Sequence, residues 1–170
     1  MMIRYIIDGH NFIHKIPGYL KLLDRDYIQC LKTLYSDLLN YVTSRHITIV
    51  LVLDGNSPWD PPDRCPNLTV EYSGSHRSAD SKIIDLAKKW SGRQTVVVSD
   101  DKLILRSVVA LGCRTISPLE FNRLVNYPDR TKRVKISGQR EKFHGLTQTE
   151  VRWWKKEMER ALAEKKKKIN

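Results

Sequence analysis

Asp8, Asp54 and Asp100 each close a short apolar run: residues 3–7, 47–53 and 95–98. A fourth aspartate, Asp80, opens a segment with helical spacing. Carboxylates gathered in one place cannot all stay ionised near neutral pH without a counter-charge. The simplest counter-charge is a hard divalent cation, which binds through oxygen and keeps several waters. One or two such ions activate water and stabilise the oxygens of an in-line displacement at phosphorus. These residue types therefore point to metal-assisted hydrolysis of a phosphodiester. Asn11, three residues after Asp8, can hold that carboxylate or a bound water, and can equally cap the turn that follows.

Each position also has an ordinary structural use. Asp54-Gly55 is common turn chemistry, and Asp80 suits the positive end of a helix. Asp101 reads better as a residue favouring the start of a helix over 103–111. An aspartate at three separate strand ends is harder to ascribe to independent turns. His10 and His14 fall in the segment after the first strand, read as a loop, where a lone histidine is expected to be neither ligand nor catalyst. The chain has no Cys-x-x-Cys pair, no Gly-rich phosphate loop and no Gly-x-Ser-x-Gly elbow, so thiol, Walker-type and α/β-hydrolase chemistry lose support.

The elements that must position these residues alternate. Apolar strands are expected at 3–7, 47–53, 68–72, 95–98 and 113–116. Helices are expected at 26–44, with apolar residues at three- and four-residue spacing, at 78–90 with Ser78 as N-cap, at 103–111 closed by Gly112, and at 117–125 with Pro118 in the first turn. Residues 56–66 hold four prolines and read as a loop. Strands that are apolar throughout and separated by helices imply a parallel sheet covered on both faces. In such a sheet all strand C-termini share one edge, where ligands bind. That edge would bring the carboxylates together.

The chain has 170 residues, 41% of them hydrophobic and 29% charged, enough to bury a core and too polar for a membrane protein. Its longest apolar runs fall far short of the roughly 20 residues of a spanning helix. Three widely spaced cysteines, Cys30, Cys65 and Cys113, suggest neither a disulfide framework nor a zinc site. Residue Asp8 comes too early for a signal peptide's apolar region, and the chain reads as cytoplasmic. The net charge is +11, which favours an acidic partner. Residues 1–125 carry 16 basic and 13 acidic residues, whereas residues 126–170 carry 14 and 6. The organisation expected is a near-neutral body, 1–125, and a basic extension, 126–170. Residues 127–145 read as a linker. The capping-box pattern 147–150 then opens a helix with Val151, Trp154, Met158 and Leu162 on one stripe, ending in the lysine run 165–168.

The segments Tyr5-Ile-Ile-Asp8-Gly-His-Asn11, Val50-Leu-Val-Leu-Asp54-Gly, Ser78-Ala-Asp80-Ser-Lys-Ile83 and Val97-Val-Ser99-Asp100 resemble, in order and spacing, those of the NYN domain. More narrowly they resemble its YacP-like branch, within the PIN-like nuclease superfamily. The resemblance covers residues 3–125, and the basic extension has no counterpart in it. It implies an α/β fold, a PIN-like parallel sheet sandwiched by helices. It also implies a ribonuclease dependent on Mg²⁺ or Mn²⁺, with endonucleolytic cleavage expected. Its acidic residues would be Asp8, Asp54, Asp80 and Asp100, with Asn11 as the polar residue beside the first and Ser99 as the small hydroxyl residue before the last. His10 stands where the family commonly has Tyr.

Because carboxylates repel phosphates, the charge that holds RNA must lie elsewhere. Arg77, Lys82, Lys102 and Arg106 are near the acidic segments, and Lys132, Arg133 and Lys135 lie in the extension. The RNA expected is mRNA, rRNA or tRNA, free or on a ribosome, with no membrane partner. Three other readings are open to the residues. A haloacid dehalogenase-type phosphatase wants a second Asp where His10 stands. A receiver domain wants an acidic pair where Asp8 is alone. A non-catalytic RNA- or ribosome-binding protein would have no need to keep four mutually repelling carboxylates.

Overall fold

The computed structural model describes residues 2–61 and 65–126; the expectations for 127–170, including Lys132, Arg133, Lys135 and the helix with Trp154, lie outside the described residues. Five strands form one sheet: β1 (Ile3–Asp8), β2 (Ile47–Leu53), β3 (Leu68–Tyr72), β4 (Thr95–Val98) and β5 (Arg114–Ile116). All four pairings are parallel, in the order β3-β2-β1-β4-β5. Six helices accompany them among the described residues: α1 (Gly9–Lys15), α2 (Pro17–Leu23), α3 (Tyr27–Thr43), α4 (Ala79–Lys89), α5 (Lys102–Ala110) and α6 (Pro118–Asn126). The parallel sheet covered by helices is the architecture expected. Among the described residues, no helix is long and apolar enough to cross a membrane.

Side chains alternate along each strand, so an apolar strand feeds two cores. Tyr5, Ile7, Ile49, Leu51, Leu53, Val96 and Val98 pack with buried residues of α1, α2, α3 and α6. Ile6, Val50, Val52 and Val97 pack on the other face with Ala79, Ile83 and Ala87 of α4 and Ile104 and Val108 of α5. The caps match the sequence. Asp26 caps α3, Ser78 caps α4 through Ser81 N, and Gly112 after α5 takes the left-handed φ of +78° that glycine accommodates.

The segment after β1 differs from its reading as a loop, for it forms α1 and α2. His10 and His14 therefore sit on a helix. Its N-terminus is capped by Asp8, and Phe12, Ile13, Ile16 and Tyr19 sink into the core. Tertiary burial holds these two short helices despite the poor helix formers Gly9 and Gly18, while Pro17 ends α1 and suits the first position of α2.

The strand order puts the topological switch between β1 and β4: from that pair, connections run outward in opposite directions. Such a crevice beyond the strand C-termini is where open α/β sheets bind ligands. Asp8 ends β1 and Ser99-Asp100 follows β4, so both flank it.

Candidate active site at the strand C-termini

Asp8 is the hub. It is buried, and its two oxygens are both engaged: Oδ1 accepts from the backbone N–H of Asn11 at 3.2 Å, and Oδ2 accepts from the Ser99 hydroxyl at 2.9 Å. The first bond caps α1, and the second ties β1 to β4 across the switch point. Burial pushes the Asp8 carboxyl above the usual carboxylate range, and the Asp80 charge adds to that, against the bonds from Asn11 and Ser99.

Asn11 does not touch the Asp8 carboxylate through its side chain. Its Oδ1 accepts from the backbone N–H of Asp100 at 3.1 Å, so α1 fixes the turn that carries the last strand-end aspartate. The Asp100 carboxylate is more open and lies 4.0 Å from Lys15 Nζ at the end of α1. Ser99, besides donating to Asp8, accepts from Asp101 N at 3.1 Å. A single buried hydroxyl thus orders both the hub and the β4–α5 turn.

Asp54 is anchored from a second direction. Its Oδ1 accepts from Ala79 N at 2.7 Å, in the first turn of α4, and from the Ser73 hydroxyl at 3.3 Å. Ser73 in turn accepts from Gly55 N at 3.0 Å. The backbone N–H of Asp54 donates to His10 Nδ1 at 3.2 Å, and the His10 ring stacks on Tyr27 with centroids 6.3 Å apart. Asp80 follows Ala79. Its carboxyl is also raised, by partial burial first and then by the charges of Asp101 and Asp54. The cross-effects link Asp80 to Asp8, Asp54 and Asp101, so strand ends and a helix start meet in one negative field.

Asp101 is the N-cap that the sequence implies, its Oδ1 accepting from Leu103 N at 2.8 Å and Ile104 N at 3.1 Å. Its charge also acts on Asp80, a part that the sequence reading did not assign to it; the Asp100-Asp101 doublet was the available signal. Ser73 was missed as well. It is legible only once the β2–β3 register is known, since Leu53 pairs with Tyr72 and the next residue on each strand is Asp54 and Ser73.

The chain matches the model of the YacP-like NYN domain over residues 5–167. It belongs to that family. A crystal structure of Rae1 (YacP) from Bacillus subtilis is similar, with TM-score 0.64 and 21% identity over 76% of this chain and 76% of that one. A mutant of the same Bacillus subtilis protein gives 0.63 and 19% identity over 75% and 76%. At these identities the structural likeness speaks for the fold. No curated protein matches the chain. The YacP-like match extends well beyond residue 125, so the basic extension does have a counterpart in the family, contrary to the expectation above.

The YacP-like NYN domain is of the PIN-like nuclease type, a fold that generally uses divalent metal ions. The donors here are carboxylate oxygens, which fit a hard divalent cation rather than a soft one. Desolvation first, and then neighbouring carboxylate charge, raises the acids of Asp8 and Asp80, and a bound cation would favour their charged forms. Among the described residues, however, no three His, Cys, Asp or Glu side chains form a ready metal cage. The arrangement suits an ion held by one or two carboxylates that retains much of its water.

Of the cations near this site, Lys82 is turned to structure, donating to Tyr72 O at 2.7 Å and pairing with Glu71 at 3.1 Å. Arg77 pairs with Asp85 at 3.4 Å where both are exposed. Lys102 and Arg106 are exposed on α5. Lys15 is a nearby cation that the sequence did not single out, because α1 was not foreseen.

Proposed function

We propose that this YacP-like NYN domain is a metal-dependent ribonuclease that hydrolyses RNA phosphodiester bonds endonucleolytically at the strand C-termini. The observation that supports this most is the negative field at the strand C-termini: the Asp80 charge raises the buried Asp8 carboxyl, the charges of Asp101 and Asp54 raise that of Asp80 after its desolvation, and the turn that carries Asp100 is bonded to Asn11. Asp8, Asp54, Asp80 and Asp100 are the residues that would hold Mg²⁺ or Mn²⁺, one or two of them directly and the others through its waters. A bound ion of this kind supplies Lewis-acid polarisation of the phosphate and a hydrolytic water near neutral pH.

The protein's own part is placement. Asn11 holds the Asp100 turn, Ser99 fixes the rotamer of Asp8, and Ala79 N with Ser73 fixes that of Asp54. These bonds hold the acidic groups before substrate arrives, which is what electrostatic preorganisation requires. Lys102 and Arg106, and beyond them Lys132, Arg133 and Lys135, would offset the repulsion between carboxylates and RNA phosphates.

The test is incubation of labelled single-stranded and structured RNAs with Mg²⁺, with Mn²⁺ and with EDTA, followed by sizing of products. Internal fragments that appear with metal, vanish with EDTA and are absent for Asp8→Asn and Asp100→Asn are expected. Binding without cleavage under every metal condition would instead make the protein a binder on a nuclease fold, and wild-type cleavage by Asp8→Asn would overturn the site.

A further inference from the structure

The sheet has a second edge, formed by strand N-termini and helix C-termini, and its charge is the reverse of the first. Four adjacent strands in the order β2-β1-β4-β5 are each entered at or beside an arginine. Arg45 lies two residues before β2, Arg4 is the second residue of β1, Arg93 lies two before β4, and Arg114 is the first of β5. Lys89 ends α4 on the same side. Residues 2–4, 44–46, 88–94 and 111–114, which build this edge, contain no carboxylate. We propose that this basic edge is a docking surface for the phosphate backbone of a folded RNA, separate from the carboxylate edge.

Ordinary structural roles do not use these cations up. Among the described residues, Lys15, Arg77, Lys82 and Lys88 stand in ion pairs, whereas Arg4, Arg45, Lys89, Arg93 and Arg114 do not. The Arg45 guanidinium lies 4.6 Å from the centre of the Tyr41 ring, and that of Arg4 lies 5.9 Å from the Trp90 ring. Such stacking orders a guanidinium while leaving its in-plane N–H donors for acceptors such as phosphate oxygens. The Arg114 Nε is buried without an acceptor among the described residues, so Arg114 adds charge to this edge and Arg45, Lys89 and Arg93 are its exposed groups. A lysine at the end of α4 complements the helix dipole. Arg4, Arg93 and Arg114 stand at strand starts, where sheet dipoles are small and make no such demand.

Dimensions favour a duplex region over a short strand. Four adjacent strands span about 15 Å, over which duplex nucleic acid presents roughly nine phosphate charges. The two edges are separated by the length of β1, about 20 Å for six residues. A short oligonucleotide cleaved at the carboxylates would not reach the basic edge, whereas a folded RNA would touch both. This inference rests on the ribonuclease reading for its choice of RNA as partner.

The experiment uses the full chain with Arg45→Gln, Lys89→Gln and Arg93→Gln combined, all three sites being exposed. Binding of a stem-loop RNA is measured by fluorescence anisotropy in EDTA across a salt series, and cleavage of a short single strand is measured with Mg²⁺. The expected result is at least tenfold weaker binding of the stem-loop and a logarithmic salt slope shallower by about 2 to 3, at roughly 0.9 for each phosphate no longer neutralised. The turnover of the short strand should be unchanged. A second variant, Arg45→Lys with Arg93→Lys, keeps the charge and should keep the wild-type slope. Wild-type affinity and slope in the triple variant would overturn the proposal, as would capture by an acidic peptide that displaces no RNA. A wild-type protein that binds the stem-loop but cleaves nothing would sink the ribonuclease reading and leave this comparison intact.

Discussion

Asp80 sits in the first turn of α4, where a negative charge normally helps the helix, yet its carboxyl is raised by burial and by Asp101 and Asp54. A carboxyl whose folded pKa exceeds its unfolded value near 3.9 favours the fold below that value. The contribution is lost as pH rises through the folded pKa. In metal-free protein Asp80→Asn should therefore melt above wild type at neutral pH, with the gap closing as pH falls into the carboxylate range. Added Mg²⁺ should raise the wild-type melting temperature more than that of the variant. A variant that melts below wild type at neutral pH would mean that the helix dipole outweighs the cluster. His10 gives a second test at this scale. Its Nδ1 holds the backbone of Asp54, so His10→Ala should cut turnover about tenfold through misplacement of that carboxylate, in the range of lost supporting bonds. His10→Asn, which keeps an acceptor, should recover part of it, with KM for RNA moving little in either. Equal turnover and equal Mg²⁺ half-saturation in His10→Ala would remove His10 from the site. The aspartates were legible because strand-end carboxylates leave a mark in the sequence. The hydrogen bonds of His10 and Ser73 were not, since they join residues 44 and 19 positions apart.

Among the elements, α1 matters most to the site and was least visible beforehand. It carries Asn11, His10 and Lys15, and it begins at the residue that caps it, Asp8. The central strands β1, β2 and β4 were readable because each is a compact, mainly apolar run followed by turn residues. α1 is seven residues long and starts with Gly-His, so its stability comes from docking, which periodicity alone does not reveal. Gly9 is the residue that permits the docking. A Cβ there would lie 2.5 Å from Leu53 Cδ2 and 2.8 Å from the Val52 carbonyl oxygen. A leucine side chain can shift, but the β2 backbone has no room to yield without moving the strand that leads to Asp54. Gly9→Ala should therefore destabilise the fold by about 1–3 kcal/mol, as overpacking does, and reduce cleavage more than the loss of folded protein explains. Denaturant melts beside activity per folded molecule would check both parts. A variant as stable as wild type would show that α1 can tilt away freely.

Over the whole molecule, charge is divided three ways: carboxylates at one sheet edge, arginines at the other, and a basic extension. The division between body and extension was plain from composition. The polarity of the two edges was not, because it appears only when strand order and direction are known. Residues 126–170 hold 14 basic and 6 acidic residues, so deleting them takes the net charge from +11 to +3. If the extension meets phosphates, its removal should weaken RNA binding and flatten the salt dependence by close to one unit for each phosphate it had neutralised. Turnover on saturating short RNA should hardly change, since Asp8, Asp54, Asp80 and Asp100 all precede residue 126. If instead the stripe of Val151, Trp154, Met158 and Leu162 serves stability, deletion should lower the melting temperature. Charge reversal of the lysine run 165–168 in the full chain would then leave affinity and slope untouched. The two basic regions also make a joint prediction. Phosphates held at separate places release counterions independently, so neutralising the sheet edge and reversing the lysine run should lower the salt slope additively when combined. A combined decrease no larger than either alone would mean that both regions grip the same few phosphates, and the edge would then be no separate surface.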